Sequence, residues 1–311
     1  MPSLYGRALL EWSLMLAVLP IFGTGAFALF FASFDNAPSE AIVSALLPLW
    51  RVLAVAALLI SPLILLNIAA EMAAVSWGAA IPLLPAVMTE THVGRVWACF
   101  LPATGLLLAG AFLPQWSSAR PLVLLVVATL LLLFAALSSH AADTGVIAVV
   151  VYFLHEIAVG LWIGALLGLW IVAKRGQAPE RWVEDAALGV SKLAAWCVLA
   201  IVLTGAYMTC SALGLHIDRL LFSTYGRTLI AKLTAFGIVL GIGAYNRYRL
   251  VSQVKTPTAR KALLRNVGVE SLILLMGVLA LASLLANTPP GHNHTEHSKN
   301  VKAKETIPLT A

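Results

Sequence analysis

The sequence has 311 residues, of which 60% are hydrophobic and only 11% are charged, and its mean hydropathy is +0.92. Soluble domains of this size carry about 25% charged residues, so the composition excludes an ordinary soluble protein and indicates a protein that crosses a membrane several times. Half of the basic residues sit in two short loops, so the net charge of +6 does not require a nucleic-acid partner. Three cysteines, two of them in apolar segments, do not form a disulfide framework.

Eight apolar stretches approach or exceed the roughly 20 residues that a helix needs to cross a bilayer. The fold class is therefore predicted to be all-α: a polytopic membrane domain over residues 1–288, followed by a flexible tail over residues 289–311. Glu11 interrupts the first apolar run, which we interpret as an uncleaved span rather than a signal peptide. The predicted spans are residues 9–33, 43–73, 93–114, 120–138, 146–173, 190–213, 226–247 and 266–287.

Basic residues in the connecting segments predict the orientation in the membrane. The segments after the fifth and seventh spans are rich in Lys and Arg, which places them in the cytoplasm by the positive-inside rule. An even number of spans then puts both termini, and all seven histidines, on or near the outer side. The basic residues that carry this prediction are Lys174, Arg175, Arg181, Lys192, Arg247, Arg249, Lys255, Arg260, Lys261 and Arg265.

A short internal similarity supports the count of eight spans. Gly94-Arg95-Val96-Trp97 opens the third span, and Gly226-Arg227-Thr228-Leu229 opens the seventh. The chain is therefore predicted to contain tandem halves, residues 1–138 and 139–288, which would be parallel because each has four spans. Chance similarity over four residues is the alternative.

Two histidines near the start of the fifth span are the strongest candidates for a functional site. His140 lies in the preceding loop, and His155 lies nine residues into the span, still in its outer half. An imidazole in the hydrocarbon layer is costly, so an ionisable group placed there indicates function. Imidazole is a good ligand for copper and other late metals, and both residues are predicted metal ligands.

Methionines and a histidine-containing tail extend the predicted metal set. Met72, Met88 and Met208 lie near the outer ends of their spans, and thioethers suit Cu(I). Methionine is also a common filler of apolar cores, which is the alternative interpretation. Three imidazoles within six residues of the tail would be able to reach one ion in a flexible chain, unless the tail is simply solvated. These tail residues are His292, His294 and His297.

The fifth span also contains a packing motif. Gly160 and Gly164 form a pair of small residues four apart, which lets another helix approach closely. His155-Glu156 begins like a zincin motif, but Val159 occupies the position of the second histidine, so zinc hydrolysis is not supported. The chain also lacks nucleotide-binding and nucleophile-elbow motifs.

Other polar residues inside predicted spans require partners or water. Glu71 and Lys232 both lie in outer halves, which makes an ion pair between them one prediction. Snorkelling of each side chain towards the headgroups is the alternative. Acidic residues in the loop after the fifth span mix with Lys and Arg, and we interpret them as a solvated face.

The order and spacing of several short motifs resemble the copper resistance protein D (CopD) family of bacterial inner-membrane proteins. The resemblance covers mainly residues 137–291 and is weaker over the first half. It implies a helical inner-membrane protein that moves copper, often beside a periplasmic copper-binding protein of the CopC type. The motifs are Ser139-His140-Ala141-Ala142, His155 with Trp162-Ile163-Gly164, Ser191-Lys192-Leu193-Ala194, Thr204-Gly205, Tyr225-Gly226-Arg227 with Lys232, Asn246-Arg247, Glu270 and Thr288-Pro289-Pro290.

We predict a copper-handling permease rather than an enzyme, with the lipid bilayer, copper ions and a periplasmic CopC-type protein as partners. His140 and His155 would form the entrance site, while loop and tail residues collect the ion. An alternative is a membrane haem oxidoreductase that uses the same two histidines near haem. A third is a structural or sensory partner with no transport of its own. With no nucleotide motif, transport would depend on a gradient or on a partner.

Overall fold

The computed structural model describes residues 4–32, 38–114, 118–176, 178–213 and 223–288, and all of its regular elements are helical. Within these ranges, eight helices are long and apolar enough to cross a membrane, which confirms the predicted fold class. They are α1 (Leu4–Ala32), α2 (Ser39–Ala73), α3 (His92–Ala111), α4 (Arg120–Leu137), α5 (Val146–Lys174), α6 (Glu180–Leu213), α7 (Thr224–Tyr245) and α8 (Pro257–Asn287).

The bundle has two ends, which we name by their residues. The terminal face is the end where α1 begins and α8 ends, marked by Arg7 and Asn287. The basic face is the opposite end, where α5 ends and α6 begins, marked by Lys174 and Arg260.

Helix α1 is the centre of the bundle. It contacts α2, α4, α5 and the last part of α8, so it is surrounded by protein on most sides. Its apolar residues are spread around the whole helix, which is typical of a helix buried in a core. Leu19, Ile21 and Phe31 are completely buried.

A close crossing joins α1 to α5. A Cβ atom added to Gly23 would lie 1.9 Å from the carbonyl oxygen of Gly160, and one added to Gly164 would lie 2.0 Å from the carbonyl carbon of Gly23. The two backbones therefore touch, and only glycine fits at these positions. The small-residue pair predicted from sequence packs as expected, and its partner is α1.

Helices α6 and α8 begin earlier than the predicted starts at residues 190 and 266. Helix α6 begins at Glu180 and α8 at Pro257, so both extend past the apolar stretch at the basic face. Charged residues lower hydropathy, but they do not stop a helix once it has left the hydrocarbon layer. The indole of Trp182, which is 3% exposed, donates to the carbonyl of Phe31 at 3.3 Å and anchors the first extension.

The acidic residues of the loop after the fifth span are not simply a solvated face, as the sequence suggested. Arg260 on α8 reaches Glu180 at 2.5 Å and Glu184 at 3.5 Å on α6. The side chains of Arg260 and Glu184 are only 13% and 18% exposed, so these ions hold the two extensions together.

Two π-helical turns interrupt the last two spans. Helix α7 continues into a π turn over Asn246–Leu250, and α8 contains one over Ile273–Val278. A π turn leaves backbone groups without their ordinary helical partners, and the Trp12 indole donates to the carbonyl of Leu275 at 2.9 Å. Such turns are frequent at functional sites.

The similarity between the third and seventh spans extends to local geometry. Thr91 caps α3 by accepting a hydrogen bond from the Gly94 N–H at 2.9 Å, and Ser223 caps α7 by accepting from the Gly226 N–H at 2.9 Å. The repeated signal is therefore a hydroxyl cap followed three residues later by glycine. The two tandem halves stay a prediction, and α1 packs against helices of both.

Candidate metal site

His155 lies in the third turn of α5, where the helix packs against α1 and α6. The residue is 9% exposed, so its ring is enclosed by neighbouring helices rather than by lipid. At about 1.5 Å per residue, it lies about 14 Å along the helix axis from Val146. An imidazole this deep requires hydrogen-bonding partners, and the structure provides one.

The partner of His155 is Thr204 on α6. The ring Nδ1 lies 2.8 Å from the Thr204 hydroxyl oxygen. That hydroxyl donates to the Ala200 carbonyl at 2.6 Å, so its one proton is already used. The hydroxyl oxygen must therefore accept from the imidazole, and Nδ1 carries the ring proton.

This arrangement leaves the other ring nitrogen, Nε2, with its lone pair in the neutral imidazole. Histidines that bind metals nearly always donate their other ring N–H to an oxygen, which fixes the tautomer and the ring orientation. His155 already has this second interaction. Its Nε2 is therefore the nitrogen that would bind a metal.

Met208 is the predicted methionine best placed to join His155. It lies four residues beyond Thr204 on α6, so both side chains project from the same helix face one turn apart. Met208 is half-buried, and its position is towards the terminal face. Met72 is 56% exposed at the end of α2. Met88 belongs to the segment that joins α2 to α3 and packs against the hydrophobic core.

His140 is separate from this buried arrangement. Its side chain is 79% exposed in the α4–α5 connection and lies 3.7 Å from Asp143. Among the described residues, no group of three His, Cys, Asp or Glu side chains is assembled for metal binding. His292, His294 and His297 lie outside the described residues. Of the predicted pair, the structure thus presents one oriented buried histidine, His155, and one exposed histidine, His140.

Two charged residues flank His155 inside the bundle. Lys232 on α7 interacts electrostatically with both His155 and Glu156. One oxygen of Glu156 is buried without a hydrogen-bond partner in the described chain. The predicted ion pair between Lys232 and Glu71 is wrong, because the acidic neighbour of Lys232 is Glu156.

Glu71 instead belongs to an ionic network at the terminal face. Arg7 on α1 binds Glu71 at 2.8 Å and Glu11 at 3.0 Å. The amide of Asn67 donates to Glu71 at 2.8 Å, and that of Asn287 donates to Glu11 at 2.6 Å. The network therefore ties α1 to α2 and to the end of α8.

Sequence reasoning missed several of these residues as partners. The motif Thr204-Gly205 pointed to α6, but no local signal pairs Thr204 with a histidine 49 residues away. Arg7 precedes the predicted first span, and no partner was predicted for it from the sequence. The network could be found only once α1 was seen between α2 and α8.

These features define the protein as a polytopic α-helical membrane protein with an oriented histidine near its terminal face. The family profile described as "Copper resistance protein D-like, N-terminal domain" matches residues 1–149, and the profile described as "Copper resistance protein D" matches residues 185–285. With both parts of the chain matched, the protein belongs to the copper resistance protein D family. This membership supports a role in copper handling.

A relative with the same family name also matches the chain. The chain is 24% identical over 298 residues to "Copper resistance protein D" from Pseudomonas syringae pv. tomato, and the match covers 89% of this chain and 95% of the relative. No solved structure matches the chain.

Proposed function

We propose that this protein moves copper ions across the bacterial inner membrane and takes them up at the terminal face. The observation that carries the proposal is the hydrogen bond from His155 to Thr204, which holds Nε2 ready for a metal. His155 would be the first ligand inside the bundle. Met208, one helical turn closer to the terminal face than Thr204, would be its nearest thioether partner.

The neighbouring charges suit a site that must release its ion. Conduction requires binding that is favourable enough for entry but weak enough for exit. Lys232 places a positive charge near His155 and opposes tight retention of a cation, while Glu156 partly offsets it. The mixed electrostatics therefore favour passage of copper over storage.

The exposed predicted ligands would serve as collectors in the periplasm. His140 and Met72 are accessible at the terminal face, and the tail contributes His292, His294 and His297. Met88 lies in the segment between α2 and α3 and packs against the hydrophobic core. A periplasmic copper-binding protein of the CopC type would deliver copper to this surface. Of the described collectors, His140 and Met72 are exposed, whereas His155 is enclosed.

Copper uptake is the direct test of transport. Sealed vesicles that contain the purified protein in one orientation are expected to accumulate copper faster than vesicles that contain the His155→Ala variant. The visible spectrum of the same protein separates the haem alternative. A strong Soret band from stoichiometric haem, with no copper uptake, would contradict the proposal.

The proposed direction of copper uptake also predicts the topology of the protein in the membrane. Because Lys and Arg concentrate at the basic face, that face is expected in the cytoplasm and both termini in the periplasm. Alkaline phosphatase fused to the C-terminus should be active. A fluorescent protein fused to the C-terminus should be dark, because it would also lie in the periplasm. Fusions within residues 175–179, between α5 and α6, are the internal control and should give the reverse pattern. The opposite result at the C-terminus would place His155 in the cytoplasmic half and overturn entry from the periplasm.

A further inference from the structure

A second buried polar cluster lies deeper in the bundle than His155. Glu270 on α8 is 3% exposed, and Asn246 at the start of the π turn after α7 is 5% exposed. The Asn246 amide donates to the Glu270 carboxyl at 3.1 Å, and the Asn266 amide donates to the Asn246 carbonyl oxygen at 3.0 Å. The three residues form a chain of hydrogen bonds that ends on one carboxyl group.

The direction of these hydrogen bonds argues against a metal at Glu270. Asn246 presents its N–H₂ group to the carboxyl, and its oxygen is occupied by Asn266. A metal ion would require oxygen atoms facing the same point, and one carboxyl group with an amide donor does not supply them. The donor instead stabilises a carboxylate, while burial favours the neutral acid. Both charge states of Glu270 are therefore accommodated.

No cation balances Glu270 within the described chain. The described ion pairs do not include Glu270. Arg247 lies on the same π turn as Asn246, but its guanidinium donates to the Ser191 carbonyl on α6 at 2.7 Å. On α5, His155 and Glu156 lie closer to the terminal face, with Lys232 of α7 beside them. On α8 itself the next charged residue is Arg265. An unpaired carboxyl inside a membrane bundle marks a functional site by default.

The cluster borders a groove on one side and the helix that carries His155 on the other. A groove of about 360 Å³ between α7 and α8 has mainly apolar walls, and Asn266 is the member of the cluster that lines it. On the other side, the Trp162 indole N–H lies beside Glu270 without hydrogen-bond geometry. Trp162 is seven residues from His155 on the same face of α5, so about 10 Å of helix separates the two sites.

We infer that Glu270, held by Asn246 and Asn266, is a proton-binding site inside the membrane that exchanges a proton with water as copper passes the His155 site. The step is Glu270–COOH to Glu270–COO⁻ plus H⁺, with the proton passing to water. Entry of a cation at His155 favours the carboxylate by attraction, and return of the proton follows release of the ion. The coupling to copper rests on the proposed function, whereas the proton site itself does not.

Infrared spectroscopy tests the proton site without copper. The full-length protein in lipid vesicles is expected to show a carboxylic C=O band that disappears as the pH rises. The band should be absent from Glu270→Gln, which keeps the size and hydrogen-bond acceptor of the side chain, and should return in Glu270→Asp. Glu71→Gln is the matched control, because Glu71 is paired with Arg7 and should contribute no such band.

Identical spectra from the wild type and Glu270→Gln, with both proteins folded, would overturn the proton site.

Coupling is tested by copper uptake with and without a proton gradient. Coupling between sites typically changes an equilibrium by roughly 5–150-fold, so we expect the gradient to change wild-type uptake by about tenfold and to leave Glu270→Gln uptake unchanged.

The two proposals fail in different ways. Loss of the infrared band in Glu270→Gln, with no uptake by the wild type, would sustain the proton site and contradict copper transport. Uptake that responds equally to the gradient in both proteins would sustain copper transport and contradict the role of Glu270. The His155→Ala variant should lose copper binding and keep the infrared band.

Discussion

Replacing His155 with alanine is expected to abolish copper binding at the terminal face while the protein still inserts and folds. The substitution removes the oriented Nε2 ligand, and it also removes a polar group from the bundle, so insertion should not suffer. Groups that only orient a metal ligand contribute about 10–100-fold to metal affinity. Loss of the ligand itself should therefore lower copper affinity by more than this factor. Competition with a chromophoric copper chelator, using purified protein, measures the change.

Variants of Thr204 provide the matched control for His155. Thr204→Val keeps the shape of the side chain but cannot accept the hydrogen bond from Nδ1, so copper affinity should fall by about 10–100-fold. Thr204→Ser retains the hydroxyl and should bind nearly as well as the wild type. His140→Ala should be milder than His155→Ala, because His140 is exposed and adjustable. Wild-type copper affinity and uptake in His155→Ala would show that His155 is a packing residue.

Replacing Gly164 with alanine is expected to prevent normal folding of the bundle. The new Cβ would lie 2.0 Å from the Gly23 carbonyl carbon, and backbone cannot move aside as a flexible side chain can. Overpacking of a core typically costs about 1–3 kcal/mol, and a collision between two backbones belongs at or above the upper end. Size-exclusion profiles and thermal midpoints of the detergent-solubilised protein report the loss.

Gly237→Ala is the control for this effect. Gly237 lies on α7, and nothing is within 4 Å of an added Cβ there. Alanine is the better helix former by about 1 kcal/mol, so this variant should be as stable as the wild type or slightly more stable. A Gly164→Ala protein with an unchanged thermal midpoint would mean that α1 and α5 do not cross as described.

The crossing of α1 and α5 also determines where His155 lies. His155 is nine residues from Gly164 on α5, so contact with α1 fixes the height and rotation of the helix that carries it. Helix α6 then supplies Thr204 at the required distance. A weakened crossing should therefore reduce copper affinity even in the fraction that folds.

The sequence determined the class of protein and the number of spans, because transfer of apolar residues into lipid depends on each segment by itself. It also identified the Gly160 and Gly164 pair as a contact surface and His155 as an unusual intramembrane residue. It misplaced the starts of α6 and α8, since their extensions contain charges such as Glu180 and Arg260. Those extensions form through pairing between distant segments, which hydropathy does not detect.

Only the tertiary structure decided which polar residues meet. A helix in a membrane is apolar on nearly every side, so sequence periodicity does not show which face packs against which neighbour. Arg7 rather than Lys232 is therefore the partner of Glu71, and Thr204 orients His155 from 49 residues away. The same holds for Glu270 and Asn246, which come together only because α7 and α8 pack side by side. Rotation and crossing of helices, set by close contacts such as Gly23 with Gly164, determine these pairs.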